Sequence, residues 1–144
     1  MTPVLDVHVF TTDAVQLEAG PAGSVVMIPF HGNVTGTVFE GIVEPCGVDT
    51  QVVNAAGVRH MSARYMLTGH ALPPYEGDCH IYIENNGWFS GNPTLPFTTV
   101  PTVITDHAGL RELLSRPFVG KGSVEEDGLH IRFYEVRSEQ TLIS

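Results

Sequence analysis

Basic residues are scarce in this chain. Seven Lys and Arg stand against 16 Asp and Glu among 144 residues, a formal net charge of -9. A surface of that sign repels phosphate backbones, so no nucleic-acid partner is expected. Long apolar runs are missing too. None approaches the roughly 20 residues that span a bilayer, so no membrane partner is expected. Met1 to Phe10 lacks a basic stretch followed by a long apolar core, so it does not read as a signal peptide, and a cytoplasmic location is the expectation. Cysteine is nearly absent. Cys46 and Cys79 form no CxxC pair, which leaves a structural zinc site without support. In a reducing compartment they read as small, partly buried thiols rather than as a disulfide. There is no GxSxG, no phosphate-binding loop and no GxGxxG after a strand. Nucleophilic hydrolysis, nucleotide hydrolysis and dinucleotide redox therefore have no support, and no cofactor is expected. The histidines (His8, His31, His60, His70, His80, His107 and His130) are scattered without a metal-binding motif. Only folding that brought His8, His60 and His130 together could build a metal site, and no metal is expected. Asn33-Val34-Thr35 matches a glycosylation sequon by chance if nothing directs secretion.

What the chain does have is strand pattern. Its hydrophobic fraction of 42% suits a globular domain, and residues 1–144 read as one domain. Strands are predicted over Val4 to Thr11, Ser24 to Phe30, Thr35 to Glu44 and Val48 to Asn54, with a turn at Pro45-Cys46-Gly47. Asn54 to Gly57 reads as a hairpin loop. In Arg59 to Thr68, Met61, Ala63, Tyr65 and Leu67 share one face, and His60, Ser62, Arg64 and Met66 share the other. Loops are expected at His70 to Gly77 and at Gly87 to Pro96, on either side of a strong strand, Cys79 to Asn85. Pro101 demotes Phe97 to Thr105 to an edge strand. One helix is predicted near Asp106 to Ser115, capped by Thr105-Asp106, striped by Leu110, Leu113 and Leu114 and stopped by Pro117. A last hairpin joins Gly120 to Glu125 and Leu129 to Arg137 through Glu126-Asp127-Gly128. Eight or nine short strands with Gly and Pro turns predict an all-β fold. A closed antiparallel β-barrel is favoured over a sandwich, because closure removes exposed edges and eight strands enclose room for one small ligand.

Three blocks carry a resemblance. They are Gly41 to Gln51 (GIVEPCGVDTQ), Ser62 to Leu67 (SARYML) and Ile81 to Gly87 (IYIENNG). Taken in this order they resemble the bacterial family catalogued as domain of unknown function 3237, over about Thr35 to Val136. The resemblance implies a small β-barrel, lipocalin-like or allene-oxide-cyclase-like, often oligomeric, with no general activity attached. The family pattern has Gly-Gly ahead of the Asp; here Cys46 holds the first of those positions.

The candidate site follows from polar residues placed among apolar ones. Asp49 follows a Gly turn where an apolar strand begins. It is either a general acid or base held in a partly dry barrel mouth, or a turn carboxylate accepting backbone hydrogen bonds. Arg64 lies mid-strand and either clamps a substrate anion or forms a salt bridge to Glu84, Asp49 or Glu40. Alternation puts Tyr82, Glu84 and Asn86 on one face and Ile81, Ile83 and Asn85 on the other, so Asn85 belongs at the inner rim unless it only leads into the Gly87 turn. Tyr65, on the apolar face of its strand, joins the substrate-binding candidates Asn85, Glu84, Glu40 and Trp88. Trp88 and Phe89 read as a lid or an oligomer contact. Asp49 and Arg64 are expected to face one cavity. The function expected is cofactor-independent acid/base chemistry of isomerase, cyclase or lyase type on a small-molecule ligand. The alternatives are a non-catalytic barrel that binds an apolar molecule and a structural oligomer. A homo-oligomer is expected from the Gly87 to Phe97 loop beside the Pro101 strand.

Overall fold

A computed structural model describes residues 2–136. They form one antiparallel sheet of nine strands: β1 (Leu5–Thr11), β2 (Val15–Gly20), β3 (Gly23–Gly36), β4 (Phe39–Asn54), β5 (Val58–Ala71), β6 (Asp78–Ser90), β7 (Phe97–Thr105), β8 (Phe118–Glu125) and β9 (Gly128–Glu135). Neighbours in sequence pair from β2 through to β9, β9 pairs with β1, and β1 returns to β3. That last pairing, Leu5↔Gly36 through Thr11↔Phe30, closes an eight-stranded barrel. β2 is the extra strand. It lies end to end with β1 along β3, pairing Val15↔Met27 to Leu17↔Val25. Val15 and Leu17 stay exposed, and a strand that buries so little gives a weak signal in sequence.

The hairpins fall where turn chemistry puts them. Asn54 Oδ1 accepts from the N–H groups of Ala56 and Val58, both at 3.0 Å, and Gly57 takes a φ of +85°. Gly128 closes the β8–β9 turn at a φ of +120°. Three expectations for the strands need correction. Pro45-Cys46-Gly47 is not a turn but a bulge inside the 16-residue β4. Between Val43↔Leu67 and Val48↔Arg64, β4 advances by five residues and β5 by three. The two extra residues bend β4 without exchanging its faces. Gly87 to Ser90 continues β6, so the loop is shorter than predicted. Pro101 is not on an edge strand: it pairs with Asn85, while β8 meets β7 only at residues 97–99, leaving the nitrogen of Pro101 nothing it must donate to.

The helix is a single turn, α1 (Arg111–Leu114). Asp106 cannot cap a longer one, because its carboxylate accepts from the His80 backbone N–H at 2.7 Å and lies 2.9 Å from His80 Nδ1. Leu110 stands at the N-cap with no side-chain capping bond, and the turn before it is held by His107. Its Nδ1 accepts from the N–H groups of Gly109 (3.0 Å) and Leu110 (3.1 Å), which leaves Nε2 to donate to the Glu76 carbonyl. Leu110 and Leu114 are buried in the core as predicted. The far end of the predicted last strand, Arg137, lies outside the described residues.

The core is one-sided along the barrel axis. Leu5, Val34, Phe39, Leu67, Ile81 and Phe133 fill one end, joined there by α1. At the other end the inward side chains leave a space.

Candidate functional site

The space is a cavity of about 280 Å³. Apolar groups from several strands make most of its wall, among them Ile28, Met61, Phe97, Leu129 and Ile131. Into it point the odd-numbered residues of β4, β5 and β6, because alternation in these three strands runs in phase. The register Asp49↔Ala63↔Asn85 sets these three side by side on one inner row. Ala63, between the two polar residues, is small enough to leave the space open.

Asp49 holds an asymmetric position. Its Oδ2 accepts from Gln51 Nε2 at 2.8 Å. Its Oδ1 is buried and has no hydrogen-bond partner among the described residues. Burial pushes the Asp49 pKa up, against the opposing pull of the Gln51 hydrogen bond and the Arg59 charge. Gln51 Oε1 accepts from Arg59 Nη1 at 2.9 Å, and Arg59 Nη2 donates to Asn92 Oδ1 at 2.9 Å. A chain of hydrogen bonds thus runs from the loop after β6 to the buried carboxylate. Tyr65, also buried, meets Phe30 edge-on at 5.1 Å between ring centres. Burial, and then the nearby Asp49 charge, hold its phenol well above the usual tyrosine range. Asn85 Oδ1 and Thr99 Oγ1 are likewise buried without partners among the described residues.

Of the sequence candidates, the cavity thus brings together Asp49, Tyr65 and Asn85. The others lie outside it. Arg64 is the main correction: it pairs in register with Val48, not Asp49, and points outward. Its side chain is 65% exposed, with Nε 3.5 Å from Glu84 Oε1. That cross-strand ion pair was one of the two alternatives for Arg64. Glu84 accepts in addition from Tyr82 Oη (3.4 Å) and Asn86 Nδ2 (3.3 Å) on the outer face. Glu40 sits at the filled end, 3.5 Å from His70 Nε2. Trp88 is 61% exposed and stacks on His60 at 4.6 Å, outside the barrel. Sequence reasoning missed Arg59, Gln51 and Thr99. Arg59 was legible by parity, since it continues the Met61, Ala63, Tyr65 face by one step.

The histidines are distributed by the same rule. His8 and His130 stack on the outer face, 4.5 Å apart and within 5° of parallel, whereas His60 lies on Trp88. His130 Nδ1 is 2.8 Å from Asp6 Oδ1, and its Nε2 is 2.7 Å from Asp127 Oδ1. Two carboxylates bracket the ring, an environment for an imidazolium. One ligand atom each from His8, Asp127 and His130 lie within 4.8 Å of one another, a spacing that could hold a metal ion, and His60 is not among them. Both cysteines are free, Cys46 exposed and Cys79 buried.

The family model described as protein of unknown function, DUF3237, matches residues 1–96. The chain belongs to this family. A UPF0311 protein from Clostridium acetobutylicum is 30% identical, with 76% of each chain covered. Among solved structures, a protein of unknown function from the same species superposes with a TM-score of 0.75 at 27% identity, covering 94% of this chain and 97% of that one. A β-barrel-like protein from Acinetobacter baumannii gives 0.70 at 18%, covering 93% of each. An enzyme from Penicillium herquei gives 0.64 at 12%, covering 93% and 96%. At 18% and 12% identity, the likeness is one of fold alone. Among the described residues of this DUF3237 member, no helix is long and apolar enough to cross a membrane.

Proposed function

We propose that the open half of the barrel binds a small molecule and that Asp49 exchanges a proton with it, in cofactor-independent chemistry of isomerase, cyclase or lyase type. One observation carries this reading. Asp49 lines the cavity with its Oδ2 held by Gln51, so the proton can be taken or released at Oδ1, which has no partner among the described residues. A buried carboxylate with a raised pKa moves toward the range where it works near neutral pH. Arg59 and Gln51 are positioning residues that orient the carboxylate. Tyr65 and Asn85 bind substrate. Arg64, Glu84, Glu40 and Trp88 have no role in this site.

The test is to incubate the protein with a metabolite extract in deuterated water and follow small molecules by mass spectrometry. A compound that gains deuterium or changes retention time with the wild type, and not with Asp49→Asn, supports the reading. The expected loss of rate is on the order of 100-fold or more. The mostly apolar wall favours a second reading, a non-catalytic binding barrel. Tight binding of the neutral fluorophore N-phenyl-1-naphthylamine, with no compound altered, would decide for it.

A homo-oligomer accompanies either reading. Met27, Val52, Trp88 and Val100 are exposed on the outer face, and the register Met27↔Thr50↔Ser62↔Asn86↔Val100 lays an outer row across five strands. The strand faces, rather than the shortened loop after β6, supply the contact. Light scattering should give a multiple of 15.6 kDa; a monomer mass at working concentration refutes it.

A further inference from the structure

We infer that the substrate is a neutral molecule with an apolar body whose polar group is a hydroxyl or N–H that donates hydrogen bonds to the wall. This rests on the reading of Asp49 as the proton-exchanging group. Three residues that line the cavity each carry a buried oxygen without a partner among the described residues: Asp49 Oδ1, Asn85 Oδ1 and Thr99 Oγ1. Asn85 and Thr99 are each more than nine-tenths buried. A buried polar atom without a partner is costly, and the cost vanishes when a ligand supplies the missing bond. An ionised carboxylate and an amide carbonyl accept and do not donate, whereas a threonine hydroxyl does either. The Asp49 and Asn85 oxygens therefore call for donors on the ligand, and Thr99 can serve a donor or an acceptor.

The geometry separates these acceptors from the rest of the wall. Asp49 and Asn85 flank Ala63 on one inner row, two strand spacings apart, or about 9.6 Å. Thr99 projects from the next strand and pairs in register with Gly120. A Cβ on Gly120 would fall 2.3 Å from Thr99 Oγ1, so the glycine leaves that hydroxyl its place. The remaining lining is chiefly aliphatic and aromatic.

Charge removes the other main class. No Lys, Arg or His lines the cavity among the described residues. Arg59, whose charge acts on Asp49, gives three of its five N–H donors to Gln51, Asn92 and the Gly91 carbonyl. A carboxylate or phosphate ligand would meet the Asp49 charge with nothing to balance it. The volume, just below the roughly 300–1,000 Å³ of ordinary small-molecule sites, further selects a compact molecule.

The test uses three probes on one frame: naphthalen-2-ylmethanol, its methyl ether and naphthalene-2-carboxylate, titrated by naphthalene fluorescence at about pH 7, where only the acid is ionised. The alcohol should bind at least about tenfold more tightly than either of the other two. In Asp49→Leu the preference for alcohol over ether should fall below about threefold; Asn85→Leu should reduce it as well, and serves if the first variant does not fold. An ether that binds as well as the alcohol, a carboxylate that binds best, or a preference that survives in both variants overturns the inference and leaves the small-molecule site standing. If none of the three binds the wild type at up to about 1 mM, the site reading fails and the inference with it.

Discussion

Asp49 is held in the fold against its own preference. Among the described residues one of its oxygens has no partner, and burial raises its pKa above the ordinary value. For a carboxylic acid that direction has a definite consequence. The folded state holds the proton more tightly than the unfolded one, so stability is greatest below the unfolded pKa, about 3.9, and is lost as pH rises through the folded value. Asp49→Asn removes the charge and keeps the shape. At about pH 7 it should raise the melting temperature by roughly a few degrees, and the gain should shrink toward pH 3.5. Differential scanning fluorimetry at the two pH values measures this. A variant less stable than wild type at neutral pH would mean that the carboxylate is a structural partner. Arg64 stands in contrast. Its exposed pair with Glu84 is worth about 0–1 kcal/mol, so Arg64→Met should change little.

Among the elements, the seam between β1 and β9 holds a linked set of charged side chains. His130 on β9 reaches Asp6 on β1 and Asp127 in the β8–β9 turn, and stacks on His8 of β1. Arg132, two residues on, bonds Asp6 at 3.0 Å and Glu125 of β8 at 2.9 Å. Burial of the His130 ring pulls its pKa down, but the hydrogen bonds and charges of Asp6 and Asp127 outweigh this and raise it. A histidine with a raised pKa adds stability that is fully present below the unfolded value of about 6.5 and is lost as pH rises through the folded value. The seam should therefore loosen as pH rises above the unfolded value, and His130→Gln should cost more melting temperature below that pH than well above it. Equal losses at both would show that the ring acts by packing alone. In stronger acid the opposite sign takes over, because Glu125, held down to about 2 by the Arg132 hydrogen bonds, and Asp127, lowered chiefly by His130, lose their stabilising charge as they protonate.

On the scale of the whole molecule, the barrel has one filled half and one open half. Val7, Leu67, Ile81 and Phe133 at the filled end are almost wholly buried, whereas Val9, Met61, Val124 and Leu129 line the cavity. Local opening is least costly where few apolar contacts are lost. Amide exchange should be slowest around Leu67 and Ile81 and fastest, within the eight barrel strands, toward Val124 and Leu129. Uniform protection along each strand would contradict a division of stability along the barrel axis. A bound small molecule should narrow the difference, since binding stabilises the half that holds it.

Alternation and turn chemistry are local, and what they govern could be read from the sequence. The split of β5 into a Met61, Ala63, Tyr65, Leu67 face and an Arg64 face, the hairpins at Asn54 to Gly57 and Glu126 to Gly128, and the mainly β, closed-barrel class all follow from residues a few positions apart. The same parity placed Asn85 inward and Glu84 outward. Register between strands is another matter. Whether Asp49 shares a face with Ala63 or with Arg64 depends on the register set at the Asn54 to Gly57 turn, which runs unbroken from Val53↔Arg59 to Val48↔Arg64, and a slip of one residue would exchange the faces. The helix shrank because His80, 26 residues away, claims the Asp106 carboxylate. The cavity itself could come only from the tertiary structure. It is the volume left over when inward side chains from all around a closed barrel fail to meet, and no local pattern of residues encodes that sum.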